Sequence, residues 1–249
     1  MYRVTIRFYE ELNDFMPAAD RKKDIDFEFR GRRSVKDLIE SFGVPHVEVD
    51  LILVNGESVG FSRIVADGDR ISVYPVFESL DVGPVTRLRP EALRDPRFVL
   101  DVHLRKLARH LRLMGFDVDY RPDRDDDALA EIAERDGRIL LSRDRQLMMR
   151  RKVSRGLYVR NTDPDLQVVE VLERLDLGKL CRPFTRCIEC NGLIGPVDPG
   201  PAGIEDLIPP GVRSWCAEYY RCRGCGRIYW KGSHYEKLMK RVVKINHGR

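Results

Sequence analysis

Residues 97–119 read RFVLDVHLRKLARHLRLMGFDVD and contain the clearest structural pattern in the chain. The run RFVL at 97–100 predicts a buried strand that ends at Asp101. Leucine and alanine then recur at helical spacing, which predicts an amphipathic helix that Gly115 ends. A second strand is predicted at 117–120. A strand–helix–strand unit of this kind is typical of a parallel α/β sheet.

The same alternation continues to about residue 175. Further strands are predicted at 138–142 and 156–160, and further helices at 125–137, 145–152 and 165–175. Strands that alternate with helices in this way indicate a parallel sheet that helices cover on both faces. The central part of the chain is therefore predicted to be an α/β domain.

The first 80 residues predict a separate domain. Strands are predicted at 2–9, 25–29, 50–54 and 70–73, and a helix capped by Ser34 is predicted at 35–43. Asn55-Gly56 is typical of a hairpin turn. This order of elements resembles the ubiquitin-like β-grasp fold.

The strings VNGESV and DGDRISVYPVFE are similar to the small sulfur carriers of the β-grasp fold. Those carriers end in a free glycine pair, whereas this chain continues beyond residue 80 without one. The resemblance therefore implies the fold and argues against sulfur-carrier chemistry. We expect a module that binds a protein partner, with a role in packing alone as the alternative.

Composition indicates a soluble globular protein of one to three domains. The chain has 249 residues, of which 43% are hydrophobic and 34% charged. No apolar run approaches the roughly 20 residues that a spanning helix needs, so no membrane contact is expected. The N-terminus starts as a strand and not as a signal peptide, which favours a cytoplasmic location. Domains are predicted at 1–80, 97–180 and 181–249, with a proline-containing linker at 81–96.

Charge is distributed unevenly along the chain. Residues 1–80 carry 11 Lys and Arg against 15 Asp and Glu, a net charge of −4. The remaining residues carry 33 and 25, a net charge of +8. We expect any nucleic-acid contact to lie in the basic part. An ordinary solvated surface is the alternative.

Two cysteine knuckles stand near the C-terminus, at Cys187-Ile-Glu-Cys190 and Cys222-Arg-Gly-Cys225. Reduced thiols at this spacing favour metal binding over disulfides. Four thiolates can close a tetrahedral shell around zinc and leave no open position, which predicts a structural zinc ribbon. The other cysteines, Cys181 and Cys216, are expected to be packed thiols, although Cys216 could compete as a ligand.

Aspartates follow the predicted strands of the central sheet. Asp101, Asp144 and Asp163 come at or near the ends of three strands, and Asp125–Asp127 open a helix. Ligands of open parallel sheets bind beyond these strand ends. Converging carboxylates repel each other unless a cation lies among them, and magnesium or manganese prefers such oxygen ligands. Helix caps and surface ion pairs are the alternative.

A wider set of motifs is similar to one family. The motifs are the stretch 98–117, GRILLSRD at 137–144, RCIECN at 186–191, CRGCGRIYW at 222–230 and GSH at 232–234. Together they resemble the PIN-like ribonuclease family named for the Mut-seven C-terminal domain, over about residues 96–240. A ubiquitin-like domain in front also fits some members.

The resemblance implies a set of acidic site residues. Asp101, Asp126 and Asp144 match the acids of the family, and Asp163 matches a fourth acid. Asp125 and Asp127 stay alternatives to Asp126. The resemblance also implies a catalytic magnesium or manganese ion that activates water for attack on an RNA phosphodiester. The connection is short where PIN nucleases usually carry a further acid.

Arginines near these motifs are candidates for RNA contacts. The candidates are Arg105, Arg109 and Arg112 on one helix, Arg143 beside Asp144, and Arg221, Arg223 and Arg227 in the ribbon. Tyr219, Tyr220, Tyr229 and Trp230 interleave with the ribbon arginines, a pattern that suits single-stranded RNA. The alternatives are intramolecular salt bridges and a small aromatic core in the ribbon. His234 is expected to be buried and hydrogen-bonded.

The sequence thus favours a metal-dependent ribonuclease with an α/β fold. Its parts are a β-grasp domain, a PIN-like parallel sheet and a zinc ribbon. A non-catalytic RNA-binding or adaptor protein is the second hypothesis. A toxin of a toxin–antitoxin pair ranks third, because large domains are fused to the nuclease-like part.

Overall fold

The structure, a computed structural model, describes residues 1–75, 95–198 and 204–247. The chain folds into two compact units. The first unit comprises Met1–Asp95 and Asp125–Tyr158, and the second comprises Pro96–Arg124 and Val159–Arg249. The predicted linker lies outside the described residues except for its last two. None of the described helices is long and apolar enough to cross a membrane.

The N-terminal part of the first unit is a mixed five-stranded sheet with one helix. Its elements are β1 (Tyr2–Phe8), β2 (Ile25–Phe29), α1 (Val35–Ser41), β3 (Val49–Val54), β4 (Glu57–Ser58) and β5 (Arg70–Pro75). The strands lie in the order β2-β1-β5-β3-β4. β1 and β5 are parallel and the other neighbours are antiparallel. This arrangement confirms the predicted β-grasp fold.

Local sequence signals explain these elements. Alternation along β1 buries Ile6 and Phe8 in the core beneath α1. Ser34 caps α1 by accepting the N–H of Asp37 at 3.1 Å, as predicted. The hairpin between β3 and β4 turns at Asn55-Gly56, whose φ angles are 53° and 87°. Two successive positive φ values belong to a type I′ turn, which matches the twist of a hairpin.

The central part of the chain alternates strands and helices, as predicted. The elements are β6 (Arg97–Leu100), α2 (Arg105–Leu113), β7 (Asp117–Asp119), α3 (Asp126–Asp136), β8 (Ile139–Ser142), α4 (Arg145–Met148), β9 (Gly156–Tyr158) and α5 (Pro164–Arg174). β6 pairs with β7 in parallel within the second unit, and β8 pairs with β9 in parallel within the first. The helix predicted at 145–152 is shorter than expected.

The C-terminal part of the second unit is a small antiparallel sheet followed by a helix. Its elements are β10 (Ile194–Val197), α6 (Pro210–Arg213), β11 (Tyr219–Cys222), β12 (Ile228–Trp230) and α7 (Ser233–His247). The strands lie in the order β10-β11-β12. α5 packs against both α2 and α7, so the ribbon is followed by a helix that joins the α/β part of the unit.

The β-grasp domain packs against the segment 145–158 within the first unit. The ring of Phe15 meets Tyr158 edge-on, with centroids 5.2 Å apart. The guanidinium of Arg145 lies 5.0 Å from the Phe15 ring and donates to its carbonyl at 3.3 Å. The fully buried Glu48 accepts the N–H of Tyr158 at 2.6 Å. The β-grasp domain therefore packs on this segment through specific aromatic, cation–π and hydrogen-bond contacts.

Gly115 ends α2 and is required there by geometry. Its φ is +97°, and a Cβ atom would overlap the carbonyl oxygen of Arg182 and lie 2.7 Å from its carbon. We expect Gly115→Ala to lower the free energy of unfolding by about 2–4 kcal/mol, from left-handed strain plus overlap.

Urea denaturation followed by circular dichroism tests this prediction. Gly137→Ala is the matched control, because Gly137 also has a positive φ of +60° but nothing lies within 4 Å of an added Cβ. The free energy of unfolding of Gly137→Ala should fall by only about 1 kcal/mol, from backbone strain alone. Equal losses in the two variants would contradict the role assigned to the Arg182 carbonyl.

Candidate functional site

Four cysteine thiols meet at one point in the second unit. Cys187, Cys190, Cys222 and Cys225 place their Sγ atoms within 4.8 Å of one another. Cys187 Sγ lies 3.7 Å from Cys225 Sγ, and Cys190 Sγ lies 3.4 Å from Cys222 Sγ. Tetrahedral zinc with Zn–S bonds of about 2.3 Å separates its sulfurs by about 3.8 Å. The four thiols could therefore hold one zinc ion.

The backbone of the two knuckles shapes this cluster. The residue after each knuckle has a positive φ, 70° at Asn191 and 74° at Gly226. In the second knuckle the N–H of Gly224 donates to Cys222 Sγ at 3.3 Å. A Cβ at Gly192 would lie 2.8 Å from the same sulfur, so a side chain there would intrude on the cluster.

The packed thiols resist collective ionisation without a cation. Burial opposes ionisation of Cys187, but the Tyr229 hydroxyl, 3.0 Å from Sγ, and backbone amides outweigh it and lower the pKa of Cys187 to about 7. Burial raises the pKa of Cys190 and of Cys225. Ionisation is thus favoured at Cys187 and opposed at Cys190 and Cys225, and a bound divalent cation would favour the thiolate form of its ligands.

Arg112 anchors the first knuckle to the α/β part of the second unit. Its side chain, only 5% exposed, donates from Nη1 to the carbonyls of Ile188 at 3.3 Å and Glu189 at 2.7 Å. Its Nε and Nη2 donate to the carbonyl of Val118 at 3.1 and 2.9 Å. Asn191 accepts the N–H of Val118 at 3.0 Å. Arg112 is therefore buried and donates to backbone carbonyls, which differs both from the predicted RNA contact and from the alternative of a salt bridge.

Asp144 caps α4 in the first unit. Its Oδ1 accepts the N–H groups of Gln146 at 2.7 Å and Leu147 at 3.2 Å. The side chain is exposed, and no residue in the described part of the chain hydrogen-bonds Oδ2. The cap thus fixes one carboxylate oxygen and leaves the other available to a ligand.

The three aspartates at the start of α3 make different contacts. Asp125 is the cap, because it accepts the N–H of Ala128 at 2.8 Å. Asp126 lies 3.7 Å from the Arg150 guanidinium, which also contacts Asp127. The choice of Asp126 as the site residue stays a prediction.

Asp101 and Asp163, in the second unit, each cap the helical turn that follows them. Asp101 directly follows β6, is 5% exposed, and accepts the N–H of His103 at 3.3 Å. Asp163 is exposed and caps α5, accepting from Asp165 at 2.8 Å and Leu166 at 3.2 Å. The amides of Leu166 and Asp165 lower the pKa of Asp163, so its carboxylate is held ionised.

Asp101, Asp144 and Asp163 therefore share one arrangement. In each, Oδ1 accepts backbone N–H groups at the start of the helical turn that follows. The capping alternative is thus realised for one oxygen of each carboxylate, and in Asp144 and Asp163 this is compatible with metal binding through the other oxygen. Two of the four predicted acids belong to each unit. A metal site that they share stays a prediction.

Glu170 supports the segment before Asp163, a role that sequence reasoning missed. Its buried carboxylate accepts the N–H of Arg160 at 2.8 Å and the N–H of Asn161 at 2.9 Å. It also accepts from the Asn161 amide side chain at 2.8 Å. A single acid within a helix gives no sequence signal for such contacts, because they depend on how the helix packs against the segment that precedes it.

His110 is a second residue that sequence reasoning missed. Arg241 donates to its Nε2 at 3.1 Å, so Nδ1 carries the proton and donates to the Pro164 carbonyl at 3.2 Å. Burial lowers the pKa of His110, which keeps the ring neutral. The neutral ring links α2, α7 and the start of α5, where Asp163 lies.

The remaining predicted arginines lie at or near the surface. Arg105, Arg221 and Arg223 are exposed, and Arg143 is half-buried. Glu189 lies 2.8 Å from the Arg109 guanidinium and 3.8 Å from that of Arg227. RNA contacts of these six residues stay a prediction.

Comparison with known proteins gives two family matches. The model of the Mut7-C RNAse domain matches residues 96–242, and the model of the Mut7-C ubiquitin domain matches residues 1–81. The crystal structure of H. volcanii small archaeal modifier protein 1 matches at 18% identity over 30% of this chain and 98% of that chain, with a TM-score of 0.25. No curated protein matches the chain.

Proposed function

Because the chain belongs to the Mut7-C RNase domain family, we propose that it is a metal-dependent ribonuclease that hydrolyses RNA phosphodiester bonds. The observation that carries the proposal is the shared arrangement of Asp101, Asp144 and Asp163. Each follows a strand of the α/β part, and each has one carboxylate oxygen fixed by backbone amides. Carboxylates held in this way are oriented before a cation arrives.

The donor set suits magnesium or manganese. Asp101, Asp126, Asp144 and Asp163 would hold the ion, since hard cations of this kind prefer carboxylate oxygens. The ion would supply Lewis-acid activation of water and compensation of charge on the phosphodiester. Backbone N–H groups lower the pKa of Asp163 and so favour its charged form, which is the form that binds a cation.

Arginines would position the RNA. Arg105 is exposed on α2, and Arg143 directly precedes Asp144. A guanidinium can hold phosphate through two parallel hydrogen bonds, which fixes its orientation as well as its charge. Arg109 would have to exchange its contact with Glu189 for phosphate.

The β-grasp domain would support the catalytic segment. α4 begins directly after its cap Asp144, and the first residue of α4, Arg145, packs on Phe15 of the β-grasp domain. Contacts of Glu48 with Tyr158 hold the other end of the same segment. We propose that this packing fixes the position of Asp144, and that the domain also binds a protein partner.

We also infer a structural zinc ion in the ribbon. The four sulfurs have the spacing of a tetrahedral S₄ site, and closed sites of this kind hold structure. The ion would fix the knuckle carbonyls that accept from Arg112 and thereby stabilise the unit that carries Asp101 and Asp163.

Cleavage assays with controlled metal content test the proposal. We expect the full chain, loaded with zinc, to cleave structured RNA when Mg²⁺ or Mn²⁺ is present and to lose at least about 100-fold in rate when both are omitted. Gel analysis of end-labelled RNA measures the rate. Cleavage that is equally fast without added Mg²⁺ or Mn²⁺ would contradict the proposal, and RNA binding without cleavage would favour the non-catalytic alternative.

A further inference from the structure

A groove of about 1040 Å³ lies within the second unit, between the ribbon sheet and the start of α7. Its walls include strand β12, the residues 231–235 that follow it, and the segment at 183–189. None of the four cysteines and none of the four aspartates lines the groove, although its lining residue Tyr229 contacts Cys187 Sγ at 3.0 Å. Of the residues that line it, Arg109 alone has an RNA contact in the proposed function.

Both tryptophans of the chain line this groove. Trp215 is 59% exposed, an unusual position for so large an apolar ring. Gly232 lies between the two rings: a Cβ there would be 3.1 Å from Trp230 Nε1 and 3.4 Å from Trp215 Cη2. Glycine at this position therefore lets the backbone pass close to both rings, and any side chain would press on them. The exposed ring of Trp215 offers a surface on which a flat group could stack.

The groove also carries excess positive charge. Arg109, Arg186, Arg227 and Lys231 line it, whereas Glu189 is its single acidic lining residue among those described. Each cation has an ion-pair partner, Glu189 for Arg109 and Arg227, Asp117 for Arg186 and Glu218 for Lys231, and RNA phosphates would replace these partners. His234, which the sequence analysis expected to be buried, is instead exposed on the wall. Aromatic rings beside a row of cations are complementary to a polyanion that bears flat bases.

We propose that this groove binds an unpaired segment of RNA. A base would stack on Trp215 and Trp230, and Arg227 and Lys231 would contact the neighbouring phosphates. A duplex is excluded because its bases are stacked inside the helix and cannot reach the rings. The inference rests on the proposed function in that RNA is the substrate, and it adds that the RNA must present a single-stranded segment.

Charge and ring content favour RNA over a peptide. An apolar peptide would contact the aliphatic lining, but the four cations would not contribute to its affinity. An acidic peptide would use the cations but would leave the exposed Trp215 ring without a stacking partner. Single-stranded RNA uses both features at once.

Tryptophan fluorescence gives a direct readout, because the chain has only two tryptophans and both line the groove. We expect a ten-nucleotide single-stranded RNA to quench the emission of the zinc-loaded full chain, with Mg²⁺ and Mn²⁺ omitted to prevent cleavage. A duplex of the same sequence should quench weakly. Equal quenching by the two forms would overturn the proposal.

Two variants test the stacking site through the anisotropy of labelled RNA. Trp215→Ala should weaken binding roughly tenfold, the loss of one stacking ring. Gly232→Val should weaken it comparably, because the added side chain would displace both rings. Gly211→Val is the matched control, since an added Cβ there meets nothing within 4 Å. Unchanged affinity in Trp215→Ala and Gly232→Val would overturn the proposal.

Electrostatic contact is tested separately. Lys231→Ala should reduce the slope of log binding constant against log salt concentration by about one, the value for one phosphate contact. Lys152→Ala in the first unit should leave this slope unchanged. Binding without cleavage would leave the groove standing and reject the nuclease. Cleavage without weaker binding in the groove variants would reject the groove alone.

Discussion

Asp144→Asn is expected to lower the rate of RNA cleavage by at least about 100-fold while the fold stays intact. Residues that merely orient metal ligands cost 10- to 100-fold when changed, so loss of a ligand charge should cost at least as much. Asparagine is nearly isosteric, and its side-chain oxygen can still accept from Gln146 and Leu147. Because asparagine and aspartate are comparable helix caps, the substitution removes charge and keeps the cap.

The comparison with alanine separates the two roles of Asp144. Asp144→Ala should lose activity to the same extent and also about 1 kcal/mol of stability, because α4 loses its cap. Glu134→Gln is the matched control: Glu134 is an exposed acid on α3 in the same unit, and its neutralisation should leave cleavage unchanged. Initial rates with labelled RNA and urea denaturation provide the two measurements.

Equal cleavage by wild type and Asp144→Asn would show a contaminating nuclease or a site elsewhere. Loss of cleavage in Glu134→Gln as well would point to a general effect of charge on RNA binding. The nuclease proposal is supported only by the combination of an inactive asparagine variant and an active glutamine variant.

The β-grasp domain was predictable because its determinants are local. Alternating residues in β1, the cap at Ser34 and the turn at Asn55-Gly56 each act within a few residues. Such signals do not depend on distant partners, so sequence alone reveals them. The cysteine knuckles were predictable for the same reason, since two ligands of each come from one turn.

The role of Arg112 was not predictable, because its partners are distant in sequence. The spacing of Arg105, Arg109 and Arg112 indicated one basic helix face, yet only Arg112 turns inward, toward the carbonyls of Ile188 and Glu189. Nothing in the helix itself separates a buried arginine from an exposed one. The separation between donor and acceptor exceeds 70 residues, beyond any local pattern.

The aspartates show a different limit. Sequence reasoning set helix capping and metal binding as alternatives, whereas in Asp144 and Asp163 the cap uses Oδ1 and leaves Oδ2 without a hydrogen bond from the described residues. A carboxylate has two oxygens, so one residue can satisfy both demands. The groove tryptophan Trp215 was also missed, because exposure is a property of the packed fold.

The Cys222→Ser variant is expected to lose zinc and to unfold the ribbon. Structural zinc contributes an apparent free energy of about 10–16 kcal/mol at pH 7 in small sites. Whole domains are stable by only about 5–15 kcal/mol, so other contacts cannot offset the loss. Cys222 is buried at the end of β11, and its sulfur accepts the N–H groups of Gly224 and Cys225.

The effect should extend beyond the ribbon. Without zinc, the knuckle carbonyls of Ile188 and Glu189 are no longer fixed, and the buried guanidinium of Arg112 loses partners. A buried charged group that lacks its hydrogen-bond acceptors raises the free energy of the folded state. Because Arg112 lies on α2 and also donates to Val118 in β7, we expect both elements to be destabilised. Hydrogen exchange should therefore increase at Val118 as well as in β11.

Cys181→Ser and Cys216→Ser are the matched controls, because these thiols lie outside the four-sulfur cluster. Both should keep one zinc ion per chain by elemental analysis and a melting temperature near that of wild type. Retention of zinc by Cys222→Ser, or its loss in Cys216→Ser, would show that a different set of sulfurs binds the metal. Zinc loss with unchanged exchange at Val118 would reject the coupling through Arg112 and leave the ribbon as an independent element.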